Sequence, residues 1–174
     1  MVELISRDTW GAAAPLRAFR PMPRVLGIVG HHSAGRDTSI GAVPAIQAAH
    51  LGRGWVDIGY HYLITGIGEI CVGRPELHGR PVVGAHSPGV NASHLGVCLL
   101  GDFRAEDPTP HQVLALVELC QWLALRHQLR PLEISGHRDH RATLCPGERL
   151  YRLLPLVRLL CARPFTYQLE VAGG

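Results

Sequence analysis

Val25-Leu26-Gly27-Ile28-Val29-Gly30-His31-His32-Ser33-Ala34-Gly35 decides how this chain is read. The first half is a short apolar run, the composition of a buried strand, and the second is a polar island, so the strand delivers two imidazoles at its end. A second polar island, Gly136-His137-Arg138-Asp139-His140-Arg141-Ala142-Thr143-Leu144-Cys145-Pro146-Gly147, lies far along the chain. It supplies another imidazole, His137, and a thiol, Cys145, eight positions later. Two imidazoles and a thiolate make a three-ligand zinc set whose fourth tetrahedral position stays open to water, the pattern of catalytic rather than structural sites. His31 and His32 compete for one place in that set, because neighbours in an extended segment face opposite sides. Alternation alone does not choose between them. A metal-free alternative makes Cys145 a nucleophile activated by His137. It also needs an orienting group and an oxyanion hole, for which the sequence has only weak candidates.

Around these islands the chain alternates strands and helices. A strand is expected at about Val25–Gly30, then a helix from Ile40 to Gly52, capped by Thr38 or Ser39, with Pro44 tolerated near its first turn and Val43, Ile46 and Leu51 facing inward. Two strands, Tyr60–Thr65 and Glu69–Val72, flank Gly66-Ile67-Gly68 and should pair as a hairpin. Residues 73–94 are rich in Gly, Pro and His, without periodicity, and read as a long loop. Leu95–Leu100 reads as a buried central strand. Thr109-Pro110 then opens a helix running to about His127, with Val113, Val117, Cys120 and Ala124 recurring at helical spacing. A last amphipathic segment, Gly147–Leu160, should break or kink near Leu154 because of Pro155. Residues 5–23 read as an irregular arm. The sum is an α/β fold: one domain over residues 1–164, a central mixed β-sheet flanked by helices, and a C-terminal tail at 165–174.

A chain of 174 residues fits one hydrophobic core. All 17 cationic residues are arginine, scattered, for a net charge of only +3, so the basic stripe of a nucleic-acid binder is missing. No run approaches the roughly 20 apolar residues of a membrane span, and no charged-then-apolar leader opens the sequence. Synthesis in the cytoplasm without a signal peptide, no membrane insertion and a monomeric state are therefore the expectations. The five cysteines do not form a disulfide spacing, and Cys98 and Cys120 read as buried small hydrophobes.

A longer series of short motifs carries a resemblance. Ser6-Arg7-Asp8-Thr9-Trp10-Gly11-Ala12, His31-His32-Ser33-Ala34-Gly35, Ile46 to His50, Gly54-Trp55-Val56-Asp57-Ile58-Gly59-Tyr60-His61-Tyr62, Val72-Gly73-Arg74, Gly84-Ala85-His86, Leu95 to Phe103, Gly136-His137-Arg138-Asp139 and Cys145-Pro146-Gly147 stand in an order that resembles the peptidoglycan recognition protein and phage-type amidase family, over roughly residues 5–160. The resemblance implies a Zn2+-dependent N-acetylmuramoyl-L-alanine amidase, with peptidoglycan as partner and the bacterial cell wall as place of action. It implies His31, His137 and Cys145 as metal ligands, and so His31 over His32. Tyr60 falls at the family's catalytic tyrosine. Thr143 stands where phage members carry a lysine and can offer only a neutral hydrogen bond. By the same resemblance His50, Trp55, Arg74, His86 and Asn91 would line the substrate groove, while Arg138 and Asp139 could orient ligand histidines. Animal members usually carry a disulfide after the first histidine motif; residues 32–50 here have no cysteine. A non-catalytic recognition module is the competing function, against which the ligand cysteine counts.

Overall fold

A computed structural model describes residues 2–162; the expected tail at 165–174 lies outside them. The fold is a single α/β domain, built on a five-stranded mixed sheet in the order β3-β2-β6-β1-β7. Strand β1 (Gly27–His32) lies between β6 (His94–Leu99) and β7 (Ile134–Gly136), parallel to both. Strand β2 (Tyr62–Ile64) pairs parallel with β6 and antiparallel with β3 (Ile70–Val72), the expected hairpin. The inner strands are buried on both faces, which is why they read as apolar runs rather than alternating ones.

Helices cover both faces. Leu116, Leu119 and Leu123 of α2 (Pro110–His127) and Val157 of α4 (Leu154–Cys161) pack with Ile28, Leu95, Val97 and Leu99. On the other face Ala42 and Val43 of α1 (Ala42–Gly52) pack with Trp10, Leu63, Cys98 and Leu100. The start of α2 is set by a reciprocal cap: the Gln112 amide N–H donates to Thr109 Oγ1 and the Thr109 N–H to Gln112 Oε1, both at 3.1 Å. A short helix, α3 (Glu148–Tyr151), precedes α4, and the expected break falls at Arg152-Leu153, with Pro155 in the first turn of α4 where its missing N–H costs nothing. Cys98 and Cys120 are buried, as expected.

The differences from the sequence reading have local causes. Helix α1 is capped by Gly41, not Thr38 or Ser39, because Ser39 is held in a turn by its N–H bond to Asp37 Oδ1 at 2.8 Å. Its inner face carries Val43 and Ile46 as expected, Leu51 being only half-buried, and adds two unexpected polar residues, Gln47 and His50, whose side chains are spent on the loop before β2. Strand β2 begins two residues later than read, leaving Tyr60 and His61 in that loop. Residues 73–94 contain a small hairpin, β4 (Glu76–Leu77) with β5 (Arg80–Pro81), too short to show a period. In α2, Val113 and Ala124 are only half-buried, and the longer Leu116, Leu119 and Leu123 fill the centre of the face. The N-terminal arm is built in: Ile5 bridges Cys71, and Trp10 is buried with its indole N–H on the Val72 carbonyl at 2.8 Å.

Candidate metal centre and active site

The parallel register sets the site. His31 stands opposite Cys98, on the α1 side of the sheet, whereas His32 stands opposite Leu99 and turns to the other face. There the His32 ring accepts the Phe103 N–H at 3.3 Å. Strand β7, beside β1, carries the chain into a turn at His137–Asp139, so His137 arrives next to His31, ring centroids 4.6 Å apart. The following loop returns Cys145 to the same place. One donor atom from each of His31, His137 and Cys145 lies within 4.8 Å of the others.

Two observations fit this cluster to zinc. The donor set is two imidazoles and one sulfur, short of four. The cluster is also poor in hydrogen bonds among the described residues: His137 Nε2 is buried without a partner there, and Cys145 Sγ meets only the His32 N–H at 3.5 Å and His31 Nδ1 at 3.6 Å. Burial, with His86 and His137 adding, holds His31 well below the ordinary histidine range; burial also lowers His137. Both rings are neutral near pH 7, with lone pairs to give. Burial pushes the Cys145 thiol up to about 11, and the His32 N–H and Arg138 oppose that shift. A reactive thiol nucleophile needs the opposite shift.

Tyr60 sits over the cluster, its ring 5.2 Å from that of His31 and 5.6 Å from that of His50. Burial beside Cys98 and Cys145 holds its hydroxyl well above the ordinary tyrosine range, so it stays protonated and can donate. Thr143 Oγ1 accepts the Cys145 N–H at 3.2 Å. Thr143 and Leu144 line a cavity of about 380 Å³ with Arg104, Arg138 and Glu148.

The remaining groove candidates are largely tied to the protein. His50 Nδ1 accepts the Gly59 N–H at 3.0 Å and its ring stacks on Trp55 at 4.5 Å. Arg74 is buried, its Nε–H on the Ile58 carbonyl at 2.7 Å and a second N–H on that of Val83. Trp55 and Arg74 line another cavity, of about 270 Å³. Asn91 Oδ1 accepts two backbone N–H groups, from His86 at 2.7 Å and Ser87 at 2.8 Å. His86 is 7% exposed, with both ring nitrogens bonded inside the protein. Arg138 pairs with Glu148 at 2.6 Å, and Asp139 accepts from the Gly136 N–H and the Tyr151 hydroxyl, so neither carries a bond to a ligand imidazole.

One network has no role in the sequence reading, although its three side chains lie in the motifs that carry the resemblance. Asp57, fully buried, accepts from Arg7 at 2.7 Å, Gln47 at 2.6 Å and the Ile58 N–H at 2.6 Å, tying arm, helix and Tyr60 loop together.

A mixed sheet with a His-His-Cys cluster at its strand ends is a frame that could hold a metal ion with a coordination position left open. The sequence profile of the N-acetylmuramoyl-L-alanine amidases matches residues 21–148, and the chain belongs to that family. It is 34% identical to peptidoglycan-recognition protein LB of Drosophila melanogaster over 85% of this chain and 66% of that protein. It is 32% identical to the endolysin of Enterobacteria phage T3 over 77% of this chain and 88% of that one. Among solved structures, the N-acetylmuramoyl-L-alanine amidase LysC from Clostridium intestinale superposes with a TM-score of 0.74 at 31% identity, over 84% of this chain and 90% of that one.

Proposed function

We propose that this chain is a zinc-dependent peptidoglycan hydrolase of the cell wall, cutting the amide between the lactyl group of N-acetylmuramic acid and the L-alanine of the stem peptide. The observation that carries this is the gathering of the His31, His137 and Cys145 donors within 4.8 Å, with the Tyr60 ring 5.2 Å from that of His31. Zinc held there supplies a Lewis acid for the scissile carbonyl and makes water nucleophilic near neutral pH.

The protein's own groups do the rest. Neutral His31 and His137 offer lone pairs without a proton first having to leave. Tyr60 donates a hydrogen bond to the carbonyl oxygen as it gains charge. Thr143, beside Cys145, adds a neutral donor. Trp55 presents an aromatic face to the sugar or peptide, and Arg74 brings positive charge to the lining of the neighbouring cavity.

A recognition module that binds muropeptides without cutting is the second reading, favoured by the relatives named for recognition. The decisive assay digests peptidoglycan with and without chelator and added zinc, then measures newly exposed N-terminal alanine. Zinc-dependent release is the expected result. Wall binding without release would replace the amidase by the recognition module, and release indifferent to chelator would remove the metal.

A further inference from the structure

The His86 ring lies between the metal cluster and the sheet, and its bonds have a direction. Its Nε2 is 3.0 Å from the His94 carbonyl oxygen. A carbonyl only accepts, so that nitrogen carries the proton, and Nδ1 of a neutral ring is left as an acceptor. His31 Nε2 is 3.0 Å from that Nδ1 and must be the donor. The His31 lone pair is thereby placed on Nδ1, the atom 3.6 Å from Cys145 Sγ. The chain of bonds ends on rigid backbone, since His94 begins β6 and pairs with Gly27 of β1.

Space is reserved for this ring. A Cβ at Gly96, in the middle of β6, would lie 2.5 Å from His86 Cγ; one at Gly84 would lie 2.6 Å from His86 Cδ2. Both approaches are closer than carbon atoms tolerate, so the strand and the loop are bare where the imidazole lies flat. The loop is pinned as well: Asn91 Oδ1 accepts the His86 N–H, and the Ala85 N–H donates to the Gly59 carbonyl at 2.9 Å.

We propose that His86 is a positioning residue of the metal centre: it fixes His31 as the Nε2–H tautomer with Nδ1 aimed at the cluster, and Gly84 and Gly96 form the slot that seats it. This rests on the ligand set proposed above and assigns His86 a task different from lining the groove. A hydrogen-bonded imidazole held by a neighbour is the usual means of orienting a metal ligand, worth about 10- to 100-fold in metal affinity.

The test begins on the metal-free wild-type protein, with long-range proton–nitrogen NMR of ¹⁵N-histidine-labelled chains. His31 and His86 are both expected as Nε2–H tautomers; a proton on His31 Nδ1 would overturn the proposal whatever the variants do. His86→Leu removes the acceptor and should weaken zinc binding, read by competition with a coloured chelator, about 10- to 100-fold. His86→Asn, which puts a carbonyl oxygen near the Nδ1 position, should recover much of that loss. Gly96→Ala leaves every donor in place but fills the slot, and should weaken zinc as well. Unchanged zinc affinity in folded His86→Leu would sink the idea, as would equal losses in the Leu and Asn variants. Neither readout uses peptidoglycan, so a failure of the amidase reading would register only in the digestion assay.

Discussion

The metal cluster and the groove wall both contain buried histidines and differ in what their polar atoms have left to do. At the cluster, His137 Nε2 is buried without a partner among the described residues, and Cys145 Sγ has only long contacts. Along the wall, His50 Nδ1, Arg74 Nε and Asn91 Oδ1 each hold backbone groups at 2.7–3.0 Å. A buried polar group without a partner costs free energy, and among metal-ligating side chains a bound ion would offset it. The wall side chains His50, Arg74 and Asn91 carry no such orphan atom among the described residues, although Ser87 Oγ in the Asn91 loop does. The wall is scaffolding first, and what it offers a ligand is shape, an aromatic face and residual charge.

The strongest way to break this contrast is at the cluster. Cys145→Ser should leave the fold intact, reduce bound zinc to near nil by metal analysis, and lower stem-peptide release by more than roughly 10³-fold, because a hydroxyl is a poor replacement for thiolate. Normal turnover by that variant would remove Cys145 from the ligand set. Tyr60→Phe is the next largest: zinc content unchanged, kcat down about 10²- to 10³-fold, KM nearly constant, the signature of a donor used in the transition state. A change in KM alone would make Tyr60 a wall residue.

How much of this the sequence disclosed follows the same divide. The cluster was legible because His31, His137 and Cys145 carry their chemistry in their identity and each sits in a polar island beside an apolar run. The choice of His31 over His32 was not in the local pattern; it depends on the register that places His31 opposite Cys98, a relation between strands 67 residues apart. Tyr60 was reached only through family resemblance, since a lone tyrosine before a strand has no signal of its own. The wall was the least legible part. Asp57 meets Arg7 across 50 positions, and Gln47 and His50 face inward because of partners in another loop, so helical periodicity found Val43 and Ile46 on the inner face of α1 but not its two polar residues.

A pH experiment tests whether the fold holds the wall histidines neutral, with the His61 share read from its own variant. His61 Nε2–H donates to the Val82 carbonyl at 2.8 Å and Nδ1 accepts the Gly96 N–H at 2.9 Å, so a second proton would break the Gly96 bond in a dry environment. Burial lowers His61 from 6.5 to about 4, and lowers His50 likewise to about 4. Between pH 6.5 and 4 the unfolded chain therefore binds more protons than the folded one, and stability present above pH 6.5 is lost as the pH falls. The fully buried His61 accounts for something on the order of 3 kcal/mol. Urea midpoints of metal-free protein should drop across that window, with a shallower slope in His61→Leu. Midpoints independent of pH would mean that these rings are not held neutral by the fold.

Asn91 gives the finest test, because the resemblance and the geometry assign it different work. As a groove residue it would present its amide to substrate, and Asn91→Ala would raise KM while leaving stability alone. As scaffolding, its Oδ1 is the acceptor for the His86 and Ser87 N–H groups, and Ala would strand both in a loop where Ser87 is fully buried. The expected cost is about 1–3 kcal/mol of unfolding free energy, measured by urea denaturation. Asn91→Asp keeps an oxygen at the same place and should recover most of it. Because the loop also carries His86 toward His31, the Ala variant should bind zinc more weakly than the Asp variant, which would extend the scaffold's influence into the cluster. A KM effect shared by both variants, with stability unchanged, would return Asn91 to the groove and erase the contrast at this position.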